Sequence, residues 1–423
     1  MLELLVAGLG VSLSLAWLGL LVRALRHRRD PHRLADLPTG DPPFARTREA
    51  EPVGAAPAWP SLAVVIAARN EADEIEAAME SLLAQDYPGL RVVAVNDRST
   101  DATGAVLDRL AARDARLRVV HIGQLPAGWL GKTHALQVGS RAAESQWIAF
   151  TDGDVVFAPG TLRRAVRHAV EEGVDHVTVG PDVRPETFGE RLFLAFPTLL
   201  FLVMIYTPLG RVDDPRSRAF AGAGAFNLVH RRALDAIGGF DRIALSVEDD
   251  LRLGQALKYS GSRSLVLSGL GAIMLRWHRG LPRMLRALDK NFFSAVDYRP
   301  GRAVLALLVM LVIAGAAHAG LLAGPAWTRG ICAAGVAAIA GLFLLAGPHR
   351  RVAPGFALLL PVSGLLLGWT LFRSVVQTYR WGGVRWRDRL YPLPELRAHV
   401  RERNRWLRES WKRNRTAARG RRV

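Results

Sequence analysis

Short apolar runs alternate with helical segments between Leu62 and Asp152, and this alternation constrains the fold more than any other feature of the chain. The apolar runs read LAVVIA, RVVAV, LRVVHI and WIAFTD, and helical segments separate them at 71–84, 101–114 and 132–143. Strands that alternate with helices form a parallel sheet covered on both faces. The sequence therefore predicts an α/β fold with a mostly parallel sheet.

Polar side chains follow the predicted strands where each strand ends. Arg69 and Glu71 follow the first strand, Asp97 the second, and Asp152 and Asp154 the fourth. In open sheets of this kind, ligands bind beyond the carboxyl ends of the strands. Two carboxylates separated by a single residue suit a divalent cation, such as Mg²⁺ or Mn²⁺, that also binds the phosphates of a nucleotide. Solvated turns and helix caps are the alternative explanation, and no GxGxxG motif follows the first strand to indicate a dinucleotide cofactor.

A second acidic cluster, Glu248 to Asp250, stands at the start of a predicted helix. Acidic residues are also favoured there by the helix dipole, so a purely structural role is the alternative. A carboxylate crowded by like charges has its pKa raised toward neutrality, which suits a group that removes a proton.

Half of the 423 residues are hydrophobic, which predicts membrane helices beside a soluble domain. Residues 1–25 predict an uncleaved N-terminal anchor, because basic residues follow the apolar run instead of preceding it. Residues 26–60, rich in Pro, Ala and charge, predict a linker. Three apolar segments within 302–376 predict a C-terminal membrane region. The one cysteine, Cys332, excludes an intrachain disulfide.

The apolar segment 188–210 is long enough to span a membrane. If the two acidic clusters serve one site, a full crossing there is excluded, because it would place Asp154 and Asp249 on opposite sides of the membrane. We therefore predict an interfacial or re-entrant element, broken near Pro197 and Pro208. A buried core helix is the alternative.

The formal charge of +18 is unevenly distributed, because residues 380–423 hold fifteen Lys or Arg against four acids, a net +11. Such a segment is typical of the cytoplasmic face of an anionic membrane. Three full C-terminal crossings would send this tail outside, so segment 356–372 is expected to span incompletely. The tail, 377–423, predicts a basic amphipathic helix on a lipid surface, with an apolar face formed by Leu396, Val400, Leu407 and Trp411. No nucleic-acid recognition motif is present, so nucleic acid is not an expected partner.

The segment between Leu62 and Gly261 contains a series of motifs that read, in order, AARNE, VNDRSTD, GWLGKTHALQVG, TDGD, GAFNLVHRRALDAIGGFD and VEDDLRLG. These motifs resemble those of membrane-bound, inverting glycosyltransferases of family 2. The resemblance implies a GT-A nucleotide-diphospho-sugar transferase domain, Rossmann-like, at 61–290, with transmembrane helices outside it. GWLGK and DDPRSRAFAGAGAF are most similar to the hopanoid-associated subgroup, with carotenoid and ceramide glycosyltransferases as relatives.

The resemblance also implies roles for individual residues. Asp154 resembles the direct ligand of a Mg²⁺ or Mn²⁺ ion, and Asp249, preceded by Glu248, resembles the catalytic base that activates the acceptor hydroxyl. Direct attack by that hydroxyl implies inversion at the sugar. The residues that would bind the nucleotide sugar are Arg69, Glu71, Asp97, Lys132 and Asp152. Lys132 could instead be a solvated lysine at a helix start.

The sequence departs from the family at the QxxRW motif that often follows the base. Arg276, Trp277 and His278 come soon after Asp249 but lack the glutamine, whereas a literal QTYRW occurs later and contains Arg380 and Trp381. Either pair could contact the diphosphate and the acceptor. His278 could also bind the metal or be merely hydrogen-bonded. The distal copy is followed by residues that resemble a C-terminal motif of the lipid-linked subgroup: Trp386, Arg387, Arg389 and Tyr391. A solvated juxtamembrane face is the alternative explanation for this distal segment.

Together these features predict a multi-pass inner-membrane enzyme with a cytoplasmic catalytic domain. It would transfer a sugar from a nucleotide donor to the hydroxyl of a lipid, such as a hopanoid, a carotenoid or another polyisoprenoid or sphingoid-like acceptor. Two alternatives remain open at this point: a polysaccharide synthase and a non-catalytic membrane scaffold. Substitution of Asp154 or Asp249 separates the enzyme from the scaffold, because only the enzyme needs both carboxylates.

Overall fold

A computed structural model describes residues 2–26, 33–40, 59–346 and 351–420, which form two compact units. The helical unit comprises the described residues of 1–30, 183–211 and 276–398, and the sheet unit comprises those of 31–182, 212–275 and 399–423. Each unit is therefore assembled from separate stretches of the chain. Compared with the predicted domain at 61–290, the sheet unit lacks 183–211 and 276–290 and includes most of the C-terminal tail.

The helices, in chain order, are α1 (Leu2–Arg26), α2 (Ile75–Leu83), α3 (Thr103–Ala111), α4 (Gly131–Ala142), α5 (Thr161–Glu171), α6 (Phe188–Tyr206), α7 (Arg231–Ala236), α8 (Asp249–Tyr259), α9 (Leu281–Ala287), α10 (Phe292–Ala295), α11 (Pro300–Ala323), α12 (Ala326–Leu345), α13 (Leu360–Trp381) and α14 (Leu393–Gly420). The strands are β1 (Leu62–Ala68), β2 (Arg91–Asp97), β3 (Leu117–Ile122), β4 (Trp147–Asp152), β5 (Val156–Phe157), β6 (His176–Val183), β7 (Asn227–His230), β8 (Ser264–Leu275), β9 (Gly383–Trp386) and β10 (Arg389–Pro392).

Eight strands of the described residues form one sheet in the order β3-β2-β1-β4-β7-β6-β8-β5. β1 pairs in parallel with β2 and β4, and β2 pairs in parallel with β3, which confirms the predicted parallel strands. Antiparallel pairs extend the sheet, with β7 between β4 and β6, and β5 beside β8. Register places Asn96 opposite Ala68 and Asp152 opposite Ala67. The polar residues that follow β1, β2 and β4 therefore lie at one edge of the sheet.

The parallel strands are apolar on both sides because both faces of the sheet are buried. Val64 and Ile66 belong to one buried cluster, whereas Ala63 and Val65 belong to another. This two-sided burial explains why β1 reads as a continuous apolar run. Each fully buried Val or Ile side chain contributes about 1.5–3 kcal/mol, so the strand is strongly held in this position.

Part of the predicted linker belongs to the sheet unit. Arg33 forms a parallel bridge with Ser268, and Leu34 is fully buried in the core cluster of this unit. The prediction that all of 26–60 is a linker is therefore wrong for residues 33–40, because they pack on the sheet. Residues 27–32 and 41–58 of that prediction lie outside the described residues.

Four helices of the described residues are long and apolar enough to cross a membrane: Glu3–Arg26, Phe188–Tyr206, Pro300–Ala323 and Ala326–Leu345. Small residues allow close packing between them. A Cβ on Gly335 would lie 2.3 Å from Ser14 Oγ, and a Cβ on Gly320 would lie 2.6 Å from Cys332 Sγ. Such contacts are typical of helix packing in membranes. α13 is not one of these four helices, and it continues past the predicted boundary at 376.

α6 continues through Pro197, so the predicted break at this residue is wrong. A proline lacks the N–H that would donate to the carbonyl four residues earlier, which here belongs to Phe193. Ser363 of α13 replaces that donor. Its Oγ donates to the Phe193 carbonyl at 3.1 Å and accepts from the Phe196 N–H at 3.0 Å. The helix ends only at Tyr206, close to the second predicted break.

α14 has the predicted apolar face, but that face is covered by the protein. Leu396, Val400, Leu407 and Trp411 are all buried, and the Trp411 ring lies 5.1 Å from the ring of Tyr259. The predicted contact of this face with a lipid surface is therefore wrong. The sequence periodicity identified the face correctly, but its partner is the protein itself.

Candidate active site

Lys132, in the first turn of α4, connects two of the acidic loops. Its Nζ lies 2.7 Å from Asp152 Oδ1 at the end of β4 and 3.3 Å from Asp249 Oδ2 at the start of α8. Although burial opposes the charged form, the carboxylates of Asp152 and Asp249 hold the pKa of Lys132 well above its usual value. The solvated-lysine alternative is therefore wrong, because this ammonium group is the shared partner of two carboxylates.

The third acidic loop, after β2, places Asp97 beside the start of α4. A Cβ on Gly131, the residue before Lys132, would lie 2.3 Å from Asp97 Oδ2. Arg98 holds the Asp97 carboxylate with two hydrogen bonds of 2.7 and 3.0 Å, and Arg69 Nη1 lies 4.0 Å from it. The structure thus brings the three acidic loops together. Arg98 also belongs to this group of residues, although its place in the sequence motifs predicted no role for it.

Hydrogen bonds fasten the loop after β1 to the loop after β2. Thr103 Oγ1 accepts from the Glu71 N–H at 2.8 Å, and Asp101 Oδ2 accepts from the Ala72 N–H at 3.2 Å. The Asp101 carboxylate therefore accepts a hydrogen bond that helps to hold the two loops together. The Glu71 side chain reaches Gly153, where a Cβ would lie only 2.2 Å from Glu71 Oε2. Glycine is thus the residue that fits between the two carboxylates of the TDGD motif.

Asp154 carries a charge that its surroundings only partly balance. Burial, and then the negative charge of Asp152, raises the pKa of Asp154 to about 6 despite the attraction of Lys132. Such a carboxylate would be stabilised by a cation. Among the described residues, no three His, Cys, Asp or Glu side chains form a group that could hold a metal ion. A cation at Asp154 would therefore need phosphate and water oxygens as further ligands, which is the usual coordination of Mg²⁺ at nucleotide sites.

Asp249 has the electrostatic setting of a general base. Burial, with the charges of Asp250 and Asp152, raises the pKa of Asp249 to about 7 against the attraction of Lys132. A base with a pKa near the working pH transfers protons most effectively. The neighbouring Glu248 is held differently, because its Oε2 lies 3.7 Å from the Nε of the buried Arg252, its partner one helical turn later. Glu248 is thus anchored, whereas Asp249 faces Lys132.

A glycine-rich segment at 221–224, to which the sequence motifs gave no role in the site, also contributes to it. A Cβ on Gly224 would lie 2.4 Å from Asp152 Oδ2, and a Cβ on Gly222 would lie 1.9 Å from the carbonyl oxygen of Asp250. This segment therefore lies against both acidic loops, with no room for a side chain at Gly222 or Gly224. The alternating glycines of FAGAGAF were the available signal.

The first RW pair belongs to the helical unit. Arg276 forms two ion pairs there: its Nη1 lies 2.5 Å from Glu186 Oε2, and its Nη2 lies 2.9 Å from Glu190 Oε1. Trp277 stacks on His278 with ring centroids 6.1 Å apart. Burial and nearby cations lower the pKa of His278 to about 4, so its imidazole is neutral near pH 7. Both of these Arg276 ion pairs are thus formed with carboxylates of the helical unit.

The distal RW pair, Arg380 and Trp381, ends α13 in the same unit. Trp381 and Trp386 line a cavity of about 430 Å³ together with several basic residues. The Arg385 guanidinium lies 5.2 Å from the Trp381 ring, and Lys290 Nζ lies 3.9 Å from the Trp386 ring. The residues after QTYRW thus form a basic and aromatic cavity.

The parallel strands, their antiparallel extension and the acidic loops at the strand ends form a domain of the GT-A fold. Residues 63–238 match the model of glycosyl transferase family 2. The chain therefore contains a glycosyl transferase family 2 domain, and the family and fold expected from the sequence motifs are confirmed.

Individual proteins extend the similarity beyond this domain. The chain is 26% identical to 4,4'-diaponeurosporenoate glycosyltransferase of Staphylococcus aureus over 349 residues, which cover 79% of this chain and 88% of that one. It is 31% identical over 202 residues to beta-monoglucosyldiacylglycerol synthase of Synechocystis, covering 46% and 40% of the two chains. A mannosyltransferase of Pyrobaculum calidifontis, solved with GDP-Man and Mn²⁺, shares the fold with a TM-score of 0.51 and 21% identity, covering 85% of this chain and 99% of that one.

Proposed function

We propose that this chain is a metal-dependent, inverting glycosyltransferase that moves a sugar from a nucleotide-diphosphate donor to a lipid hydroxyl at the cytoplasmic face of the inner membrane. The observation that carries the proposal is the placement of Lys132 between Asp152 and Asp249, beside Asp97. This arrangement joins a donor-binding strand edge to a buried carboxylate whose pKa suits proton abstraction.

Asp249 acts as the general base in this proposal. The acceptor oxygen attacks the anomeric carbon, its proton passes to the Asp249 carboxylate, and the bond to the nucleoside diphosphate breaks on the opposite side of the sugar. The configuration at that carbon is therefore inverted in one step. Lys132 keeps the Asp249 carboxylate ionised and oriented, since its Nζ lies 3.3 Å from Oδ2. General-base assistance of this kind contributes roughly 10²–10⁴-fold in rate.

Asp154 would hold the Mg²⁺ or Mn²⁺ ion, with Asp152 beside it. When bound, a divalent cation would neutralise the charge that develops on the departing diphosphate. The raised pKa of Asp154 supports this assignment, because a cation would relieve the repulsion from Asp152. Arg69, Glu71 and Asp97 would bind the nucleoside at the ends of β1 and β2.

Two observations support a lipid as the acceptor. The helical unit contains apolar helices long enough to cross a membrane, and the relatives named above act on a carotenoid acid and make a glycosylated diacylglycerol. A hopanoid remains one member of the proposed acceptor class. The net +11 charge of residues 380–423 supports the cytoplasmic placement.

The decisive test is a donor panel. Purified full-length protein is incubated with Mg²⁺ or Mn²⁺, a lipid extract and labelled nucleotide sugars, and transfer to lipid and donor hydrolysis are both measured. We expect one donor to be consumed, the product to have inverted configuration, and chelation to stop the reaction. Asp154→Asn should lower turnover roughly 10²-fold, whereas the exposed-site control Asp235→Asn should not. Folded, metal-supplied protein that consumes no donor would disprove the proposal.

A further inference from the structure

The C-terminal helix α14 contacts the chain at both ends of α8, the helix that begins with Asp249. On one side, Arg403 Nη1 donates to Ser246 Oγ at 3.2 Å, three residues before Asp249. On the other side, Asn414 Nδ2 donates to the carbonyl of Tyr259, the last residue of α8, at 2.6 Å. α14 is therefore tied both to the loop before α8 and to the last residue of α8.

The contact at Ser246 is buried. Arg403 is 3% exposed and Ser246 is 2% exposed, and His399 Nε2 lies 3.5 Å from the same Ser246 Oγ. A buried guanidinium is costly unless its donors are satisfied. Because Arg403 and Ser246 are both buried, water cannot readily replace this hydrogen bond, as it can at the surface.

The opposite side of the same loop is fastened to α4. The carbonyl of Ala244 accepts from the Leu130 N–H at 2.9 Å and from Thr133 Oγ1 at 2.6 Å. Thr133 directly follows Lys132, the partner of Asp249. The loop 244–248 is therefore held between α4, which carries the ammonium group, and α14, which carries Arg403.

We propose that α14 is a brace for the catalytic base, and that Arg403 is a positioning residue that sets the Asp249 carboxylate against Lys132 through Ser246. This inference rests on the role of Asp249 under the proposed function. A misplacement of about 1 Å in a reacting group costs on the order of 10²-fold in rate. Loss of one brace contact should therefore reduce turnover without removing the donor site, which lies at the strand ends.

The test compares Arg403→Ala with Arg405→Ala in the full-length protein. Arg405 is exposed, lies on the same helix and carries the same charge, so it is a matched control. We expect Arg403→Ala to lower kcat roughly tenfold while the KM for the donor stays within about threefold. Arg403→Lys should recover part of the loss, since it restores a charged donor near Ser246. Wild-type kcat in Arg403→Ala would overturn the proposal.

Two further measurements keep the test decisive if Arg403→Ala does not fold. Ser246→Ala removes the acceptor at almost constant volume and should lower kcat with an unchanged donor KM; a wild-type kcat would overturn the proposal. Amide hydrogen exchange at 244–252 should be faster in Ser246→Ala than in Arg405→Ala, and equal rates would also overturn it. Because exchange does not depend on turnover, it tests the brace even if the wild-type protein consumes no donor, an outcome that would count against the proposed function alone.

Discussion

Two buried carboxylates, Glu190 in the helical unit and Asp249 in the sheet unit, differ in how completely hydrogen bonds and ion pairs balance their charge. Glu190, in the first turn of α6, is fully buried. Its Oε1 accepts from Arg276 at 2.9 Å and from the Gly280 N–H at 2.6 Å, and its Oε2 accepts from the Glu186 N–H at 2.7 Å. Every partner of Glu190 lies within the helical unit. This carboxylate fixes the loop after β8 to the start of α6.

Asp249 in the sheet unit is held far less completely. Its ion-pair partner Lys132 is shared with Asp152, and the nearby charge of Asp250 adds repulsion. A buried charge that lacks enough opposite charge or hydrogen bonds lowers the stability of the folded state. Proteins keep such charges chiefly at catalytic and binding sites. The comparison therefore predicts opposite effects of substitution. Neutralising Asp249 should abolish activity without loss of stability, and neutralising Glu190 should reduce stability with little loss of activity.

The largest expected effect is that of Asp249→Asn. Removal of the general base should lower kcat roughly 10³-fold, while the thermal midpoint stays the same or rises because a buried repulsion is relieved. Single-turnover kinetics and thermal unfolding in the same detergent measure both quantities. Asp235→Asn, an exposed carboxylate, is the control. Turnover within tenfold of wild type would refute the assignment of the base.

Lys132→Met should have the next largest effect, roughly 10²-fold on turnover, because a preorganised charge is lost. It should also move the pH profile. Lys132 lowers the pKa of Asp249, so its removal raises that pKa further. Because the base acts when deprotonated, kcat/KM falls as pH drops through this pKa, and the acidic limb should shift to higher pH. The exposed Lys412→Met is the control, and an unmoved acidic limb would contradict the coupling of Lys132 to Asp249.

Glu190→Gln should change stability more than activity. The amide cannot accept from all the donors around Glu190, and the loss of hydrogen bonds to a charged group should cost about 2 kcal/mol in the free energy of unfolding. Below the unfolding midpoint, turnover should stay within about threefold of wild type. Glu186→Gln is a matched control, because Glu186 pairs with the same Arg276 but its side chain is 66% exposed. Equal destabilisation by the two variants would remove the contrast between the carboxylates.

The residues at the strand ends were predictable from sequence, because the pattern of apolar residues identifies each strand and shows where it ends. Parallel strands place their carboxyl ends at one edge, so Asp97 and Asp152 could be assigned to a shared site without knowledge of their contacts. The position of Lys132 between two carboxylates was not predictable, because it depends on how α4 and α8 pack. α14 shows the same limit, since periodicity identifies an apolar face but not what covers it. The sequence therefore suggested lipid where the structure has protein.

The smallest expected effect concerns Ser363, which supports α6 at Pro197. Ser363→Ala leaves the Phe193 carbonyl and the Phe196 N–H without this hydroxyl, so the free energy of unfolding should fall by about 1 kcal/mol with turnover unchanged. Pro197→Ala in the same background restores an N–H that can donate to the Phe193 carbonyl, so it should recover part of the loss. A double-mutant cycle on thermal stability measures this coupling. Strictly additive effects would show that the hydroxyl does not replace the proline's missing donor, and that polar groups in the helical unit are satisfied in another way.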